Sequence, residues 1–572
     1  MGLVRAFHVL FFPLSVALFI IGLITSDLLV IYAGMALLFA VNVTYAVCDL
    51  SKRSVFLFFH LGLALFLISR PTIKLLEGGV LTELSLDFNG ALFSLAVIFL
   101  SMFFLRLGSG AAEWRQHNRD EKAETFVDRH PKDVRKNPIL PTLRGASAIV
   151  YGIGFIGLMW LGILKLQAMQ GLSYEHFYLV SISEYTNVIV RTIATMEPYA
   201  LCAFLATFPK KRPATIVLIM HIITTIPVLI IGSRADFVLG VLFLMLYYVL
   251  RNFIDGKGSW IGHFERVLVA ICLPVGIIAM GMVSVIRSSA QIINFSLFDS
   301  LVTAIYQQGV TYEVLSKGYA VRDVIAAMGF KGFSFGALTD YILQGPFGIY
   351  ILGNSDLGSA NSINLAVQGH SYAHTMSYFM HWRYLQGAGW GSSYLLELYQ
   401  DFGMLGVGIF SFLFGMILSY LPRLLKRSWL TGTLTLTVCI VIFHMPRGTA
   451  IEWISYVWTL QFWFTLTLIG GLAYVMRSKR FAGLITACRN WLGGTPFETL
   501  RDIRAREPWN RQLQPLRKVM NTDHEHDNIR RPMGDVQASH RLHPAHHSLL
   551  RWLGGGSELA QIREGACNQL HS

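Results

Sequence analysis

Apolar runs of about 20 residues recur along most of this chain, and a run of that length has few destinations other than the hydrocarbon of a bilayer. Inside hydrocarbon every backbone N–H and C=O must pair within its own segment, so each run is expected to be a helix. The fold class that follows is an all-α polytopic membrane protein with about 12 transmembrane helices. The spans are expected at residues 8–25, 28–47, 55–69, 88–105, 146–164, 192–208, 215–231, 237–250, 267–286, 403–421, 430–445 and 453–475. The third and eighth are short, so either is expected to tilt little or to end in a re-entrant piece. With 53% hydrophobic and only 14% charged residues, the chain falls outside the composition of soluble domains. No internal repeat of about 20–50 residues is visible.

Lysine and arginine in the connections set the orientation. Lys52 and Arg53, the stretch 106–144, Lys210, Lys211, Arg212, the stretch 251–266, the stretch 423–427 and residues 477–480 all fall on one side. The other side is sparse, its short connections holding Arg70 and Lys74, Lys165 and Arg191, Arg234, and Arg447. Both termini are therefore expected to be cytoplasmic. The net charge of +13 follows mainly from this bias and from a basic tail, which argues against nucleic acid as a partner. The first apolar run precedes further spans and lacks a small-residue cleavage site, so it is expected to be retained. Two parts follow: a membrane domain over 1–480 and a cytoplasmic tail over 481–572, rich in Arg, His and Pro and expected to be disordered. The six cysteines show no metal spacing and form no pair in the outer connections, so no disulfide framework is expected.

One connection is long. Residues 287–402 form an outer segment that is neither low in complexity nor strongly charged, and it is expected to fold. Within it, 306–328 reads as helical, 329–336 as a glycine-rich turn, and the apolar stretch 342–352 as an amphipathic or re-entrant piece at the outer leaflet. Its end, from Gly369 onward, is rich in His, aromatic residues and Gly, and runs straight into the tenth span through GHSYAHTMSYFMHWRYLQGAGWGSSYLLELYQDFG.

Ionisable groups at membrane depth cost several kcal/mol unless paired or hydrated, so their placement carries functional information. Arg234 lies in a tight connection between the seventh and eighth spans, Arg287 ends the ninth, Arg447 follows the eleventh and Arg191 opens the sixth. Arginine stays charged and offers a donor fork that fits phosphate oxygens. An arginine at a helix end is also a common headgroup anchor, and the functional reading is strongest for Arg234, on a side that otherwise avoids positive charge. Glu397 and Glu452 are placed to accept a proton or to orient an arginine, with structural pairing the plainer role for Glu452. Glu197, beside Pro198 inside the sixth span, reads as a paired structural carboxylate. His370 and His374 share one face if their stretch is helical, and either suits a general base near neutral pH. A metal site through His370, His374 and His381 lacks a carboxylate at ligand spacing, so neither a metal nor another cofactor is expected. His60, His221 and His444 lie within spans and read as hydrogen-bonded packing residues.

The order of these features resembles the Wzy-type O-antigen polymerase family. The likeness rests on GSRADFVLGVL at 232–242, YQQGVTYEVL at 306–315, GHSYAHTMSY at 369–378, GAGWGSSYLLELYQDFGMLGVGIFSFLFG at 387–415 and MPRGTAIEW at 445–453. The third and fourth stretches are the specific ones, and with the span pattern the similarity covers about residues 140–475. The tail beyond Arg480 and the loop 106–144 have no counterpart.

The resemblance implies a glycosyltransferase at the outer face of the bacterial inner membrane, joining undecaprenyl-diphosphate-linked oligosaccharide repeat units into a surface polysaccharide. It further implies a flippase and a chain-length regulator as partners. A hydroxyl of the acceptor attacks the donor's anomeric carbon while the lipid diphosphate leaves, which calls for cations at the diphosphate and a base at the hydroxyl. Arg234, Arg287 and Arg447, with Arg383 and Arg191 as further candidates, would hold the diphosphate without a metal; Glu397, His370 or His374 would act as base. Tyr372, Tyr378, Trp382, Trp390 and Tyr394 offer faces for sugar stacking, though interfacial anchoring explains such aromatics as well. An O-antigen ligase shares this topology and arginine logic, but the GSSYLLELYQDFG stretch favours the polymerase. A transporter predicts charges spread through the depth of several spans and repeat-like halves, whereas here they gather at one face.

Overall fold

The computed structural model describes residues 2–124, 137–169, 179, 186–255, 260–263, 265–267 and 297–478. All of them belong to the first of two units, Met1–Thr486 and Ala487–Ser572. The described residues form helices and connections, with no strand among them.

Ten helices are long and apolar enough to cross a membrane: Ala6–Thr25, Leu28–Cys48, Leu50–Leu76, Phe88–Asn118, Leu140–Ala168, Val188–Leu205, Lys211–Ile231, Ala235–Ile254, Tyr394–Leu424 and Trp429–Arg447. A further pair, Glu452–Trp458 and Leu460–Arg477, meets the same criterion together but bends by 60° between its parts. The chain is thus a multi-pass membrane protein. Each expected span except the ninth coincides with one of these elements; the ninth, Arg287 and the tail lie outside the described residues.

Two spans expected to be short are not. The third is a 27-residue rod, Leu50–Leu76, and the eighth a 20-residue helix, Ala235–Ile254. Charged residues at their ends, Arg53 and Arg70 in one and Arg251 in the other, shorten the apolar run without ending the helix. Within the third span, residues Ala64–Ile68 wind as one π-helical turn just before Ser69 and Arg70.

Close helix contact holds the centre. The helix Phe88–Glu124 packs along Tyr394–Leu424, where a Cβ at Gly108 would collide with the Phe412 carbonyl and one at Gly415 with the Leu105 carbonyl. Only glycine permits that approach, as is usual where membrane helices associate through small residues. Buried hydroxyls stitch the same interface: Ser101 lies 2.6 Å from the Tyr394 hydroxyl and 2.9 Å from Ser411, and Ser109 lies 2.8 Å from Ser419.

Residues 297–393 cap one end of the bundle. The helical stretch expected over 306–328 is broken into Leu297–Gln308, Thr311–Ala320 and Arg322–Ala326. The first break falls at Gly309, which lies against Ser69 and the Arg70 backbone, where a side chain would not fit. The glycine-rich turn stands as expected, with Gly329 and Gly332 at φ of 88° and 64°. Asp401 anchors it, accepting from the Phe333 and Ser334 amides at 3.1 and 2.7 Å. The apolar stretch after it forms short helices, Gly336–Leu343 and Pro346–Tyr350, and leaves Phe347, Tyr350, Ile351 and Leu352 exposed.

Candidate active site at the capped end

Three arginines from separate spans meet three consecutive residues of the cap. Tyr306, Gln307 and Gln308 end the helix Leu297–Gln308. Arg70 places its guanidinium 4.3 Å from the centre of the Tyr306 ring. Arg234, at the start of Ala235–Ile254, donates from Nη1 to Gln307 Oε1 at 2.6 Å. Arg447, at the end of the turn Ile442–Arg447, has Nη1 3.5 Å from Gln308 Oε1. A neutral amide oxygen orients a guanidinium without neutralising it, and guanidinium donors of this kind fit phosphate oxygens. Arg70 Nη2 also pairs with Glu313 at 2.5 Å, and Glu313 accepts from Lys317 at 3.2 Å.

Local sequence explains why these groups converge. Gly232, at φ of 122°, ends Ile226–Ile231 and turns the chain straight into Ala235–Ile254, leaving Arg234 at the N-cap. Pro446 closes the turn that carries Arg447. The π turn at Ala64–Ile68 sets the azimuth of Arg70. Arg70 was visible in the sequence only as one of few cations on the sparse side, and nothing in its own neighbours marks it as part of a cluster.

The expected bases are built differently from one another. His370 Nδ1 lies 2.8 Å from Asp340 Oδ1, and the His370 amide donates to both Asp340 oxygens at 3.1 and 3.2 Å. The carboxylate therefore fixes the imidazole with Nδ1 protonated and leaves Nε2 as the acceptor. Asp340 precedes His370 by thirty residues, between the glycine-rich turn expected at 329–336 and the apolar piece at 342–352, so sequence reasoning missed it. His374 Nδ1 lies 3.0 Å from the Tyr384 hydroxyl, which donates to the Ser362 carbonyl at 3.3 Å. Burial pushes the Tyr384 hydroxyl up to about 12, so it stays a donor, and burial lowers His374, so its ring stays neutral.

Glu397 is enclosed rather than presented. It is fully buried, accepting from Ser392 Oγ and from the Ala450 amide, each at 2.8 Å. This geometry clamps the start of Tyr394–Leu424 to the chain that follows Arg447. Tyr394 and Tyr372 are also buried, with hydroxyls on Ser101 and on the Gly318 carbonyl, so their faces are spent on packing and the expected stacking role falls away. Trp382 is 86% exposed and Trp390 has Lys317 Nζ 4.2 Å from its ring centre.

The remaining expected residues stand apart from the glutamine pair. Arg383 Nε donates to Gln386 at 3.2 Å within its own turn. Arg191 occupies the first turn of Val188–Leu205. Glu452 faces His444 Nδ1 at 3.9 Å, a structural pairing with a histidine. Glu197 pairs with His221, both carboxylate oxygens 3.1 Å from Nδ1, and His60 bonds Asn42 and the Phe56 carbonyl. No group of three His, Cys, Asp or Glu among the described residues is arranged to hold a metal ion.

The model of one known family, described as O-antigen polysaccharide polymerase Wzy, matches residues 6–479. No curated protein and no solved structure matches the chain.

Proposed function

Since the chain belongs to the Wzy family of O-antigen polysaccharide polymerases, we propose that it joins undecaprenyl-diphosphate-linked repeat units at the outer face of the bacterial inner membrane. The observation that carries this reading is the gathering of Arg70, Arg234 and Arg447 on Tyr306, Gln307 and Gln308. Guanidinium groups oriented beforehand stabilise charge as it develops, without reorganising at the moment of reaction.

In the proposed step the acceptor's terminal hydroxyl gives its proton to His370 Nε2 as its oxygen bonds the donor's anomeric carbon. The bond from that carbon to the diphosphate oxygen breaks, and the electron pair leaves on the lipid diphosphate. Arg234 and Arg447 hold the leaving group, in place of a metal ion, and Arg70 braces the cap beside them. Asp340 holds the imidazole in the tautomer that accepts, and His374 is the second candidate for the base. Glu397 keeps the Arg447 turn in place. Arg287, Arg383 and Arg191 are further candidates for the lipid diphosphate, and Glu452 and Tyr394 act through packing. A flippase and a chain-length regulator are the proposed partner proteins.

Complementation of a strain lacking this chain tests the reading. Loss of the chain should collapse the surface polysaccharide ladder to single repeats, and re-expression should restore it. Absence of all surface glycan, with full-length chains accumulating on the lipid carrier, would assign the chain to ligation instead.

A further inference from the structure

A second cationic cluster lies at the opposite end of the bundle, about 25 Å along the third span from Arg70 at 1.5 Å per residue. There the Tyr45 ring is sandwiched between two guanidiniums, Arg53 at 3.6 Å and Arg106 at 3.4 Å from its centre. Arg53 is satisfied, donating to both oxygens of Glu113 at 2.6 Å and to the Tyr45 carbonyl at 2.6 Å. Arg106 is not. Its Nε is buried with no hydrogen-bond partner, and no ion pair to it is formed among the described residues. Beside it, the His8 ring stands edge-on to Tyr45 at 6.3 Å, with both of its nitrogens buried and unpartnered.

Three buried polar atoms without a hydrogen-bond partner gather in one place, with two positive charges against one carboxylate. Buried polar groups ordinarily find partners, and the partner these lack is an anion or a strong acceptor. The residues that follow them in sequence, Val9, Leu10 and Leu107, are exposed and apolar, so whatever reaches the cluster crosses a hydrocarbon-facing surface. A free anion has no such coat. We propose that His8, Arg53 and Arg106 bind the phosphate of an anionic phospholipid, lodged between Gly2–Thr25, Leu28–Cys48, Leu50–Leu63 and Phe88–Glu124 with its acyl chains along the first helix. Basic pockets between membrane helices recognise anionic headgroups in this way.

The probe is phosphatidylglycerol, added with phosphatidylcholine to the purified full-length chain in detergent and read by native mass spectrometry. The wild type should retain phosphatidylglycerol over phosphatidylcholine. Arg106→Gln should lower that preference by about fivefold, the effect of one basic contact at a membrane surface, and His8→Leu by about the same factor through the loss of one hydrogen bond. Arg106→Lys should keep most of it, and Arg427→Gln, an exposed charge, should leave it unchanged. Retention by Arg106→Gln equal to wild type overturns the proposal, as does competition by inorganic phosphate as strong as by the lipid. If Arg106→Gln does not fold, His8→Leu decides alone, and an unaltered preference there overturns it.

Discussion

Arg234 and Gln307 lie 73 positions apart in sequence, and yet Nη1 of one meets Oε1 of the other at 2.6 Å. With Arg447 against Gln308, this makes adjacent amides the jig for two guanidiniums from different helices. The jig is separable from what it holds, and the two should fail differently.

Removing the charge is the severe change. Arg234→Ala and Arg447→Ala are each expected to lower repeat-unit polymerisation by about 100-fold, the scale of losing one preorganised charge-stabilising donor. Gln307→Ala keeps the charge and is expected to cost about tenfold or less. Near wild-type chain lengths from both arginine variants would remove the diphosphate-binding role.

Arginines that grip one diphosphate act as a unit, so their losses are not additive. The double variant Arg234→Ala with Arg447→Ala is expected to be little worse than the poorer single variant. Rates from purified lipid-linked repeat units check this, and strictly multiplicative losses would mean that the two side chains serve separate sites.

Asp340→Asn and His370→Gln divide orientation from proton transfer. His370→Gln removes the proposed acceptor and should abolish turnover. Asp340→Asn keeps a partner for the ring but loses its preference for one tautomer, and a fall in kcat with KM little changed is expected. Equal kcat in Asp340→Asn and wild type would assign the pair to structure alone.

Glu397→Gln addresses the enclosed carboxylate. An amide retains an oxygen for the Ala450 N–H, so Glu397→Gln should keep substantial activity, whereas a general base would lose all of it. Glu397→Ala leaves that N–H unsatisfied in a buried place and should destabilise the fold by about 1–3 kcal/mol, read as a lower Tm.

His374 predicts a pH dependence of stability. Burial lowers its folded pKa below the ordinary histidine value, so on acidification the unfolded chain takes up the proton first. Its contribution is complete above about pH 6.5, where both states are neutral, and is lost progressively below that value as pH falls toward the folded pKa. The wild-type Tm should therefore drop more between pH 7 and pH 5 than that of His374→Gln, and parallel profiles would count against a buried neutral ring.

Much of this architecture was legible because bilayer thickness imposes a length on every crossing, and apolar length is what a sequence displays. Arg234 and Arg447 stood out as cations in connections where few others occur, and the structure places both against the glutamine pair. Arg70 did not, since its significance comes from Tyr306, more than two hundred residues later, and from a π turn that no residue type announces. Asp340 fell between the glycine-rich turn and the apolar piece with no motif of its own, and only the folded cap brings it to His370. Tyr394 shows the opposite failure. Its place in an aromatic, glycine-rich motif suggested an exposed ring, but the ring is buried with its hydroxyl 2.6 Å from Ser101, before the break in the winding at Gly403.

The wide turn at Ala64–Ile68 inserts one residue's worth of rotation, about 100°, midway along a single rod. Its two halves therefore point in compass directions that an uninterrupted helix would not combine, Arg53 toward Tyr45 and Arg70 toward Tyr306. Deleting one residue from that turn would straighten the winding, swing Arg70 off the cap, and leave the opposite leaflet's cluster where it stands.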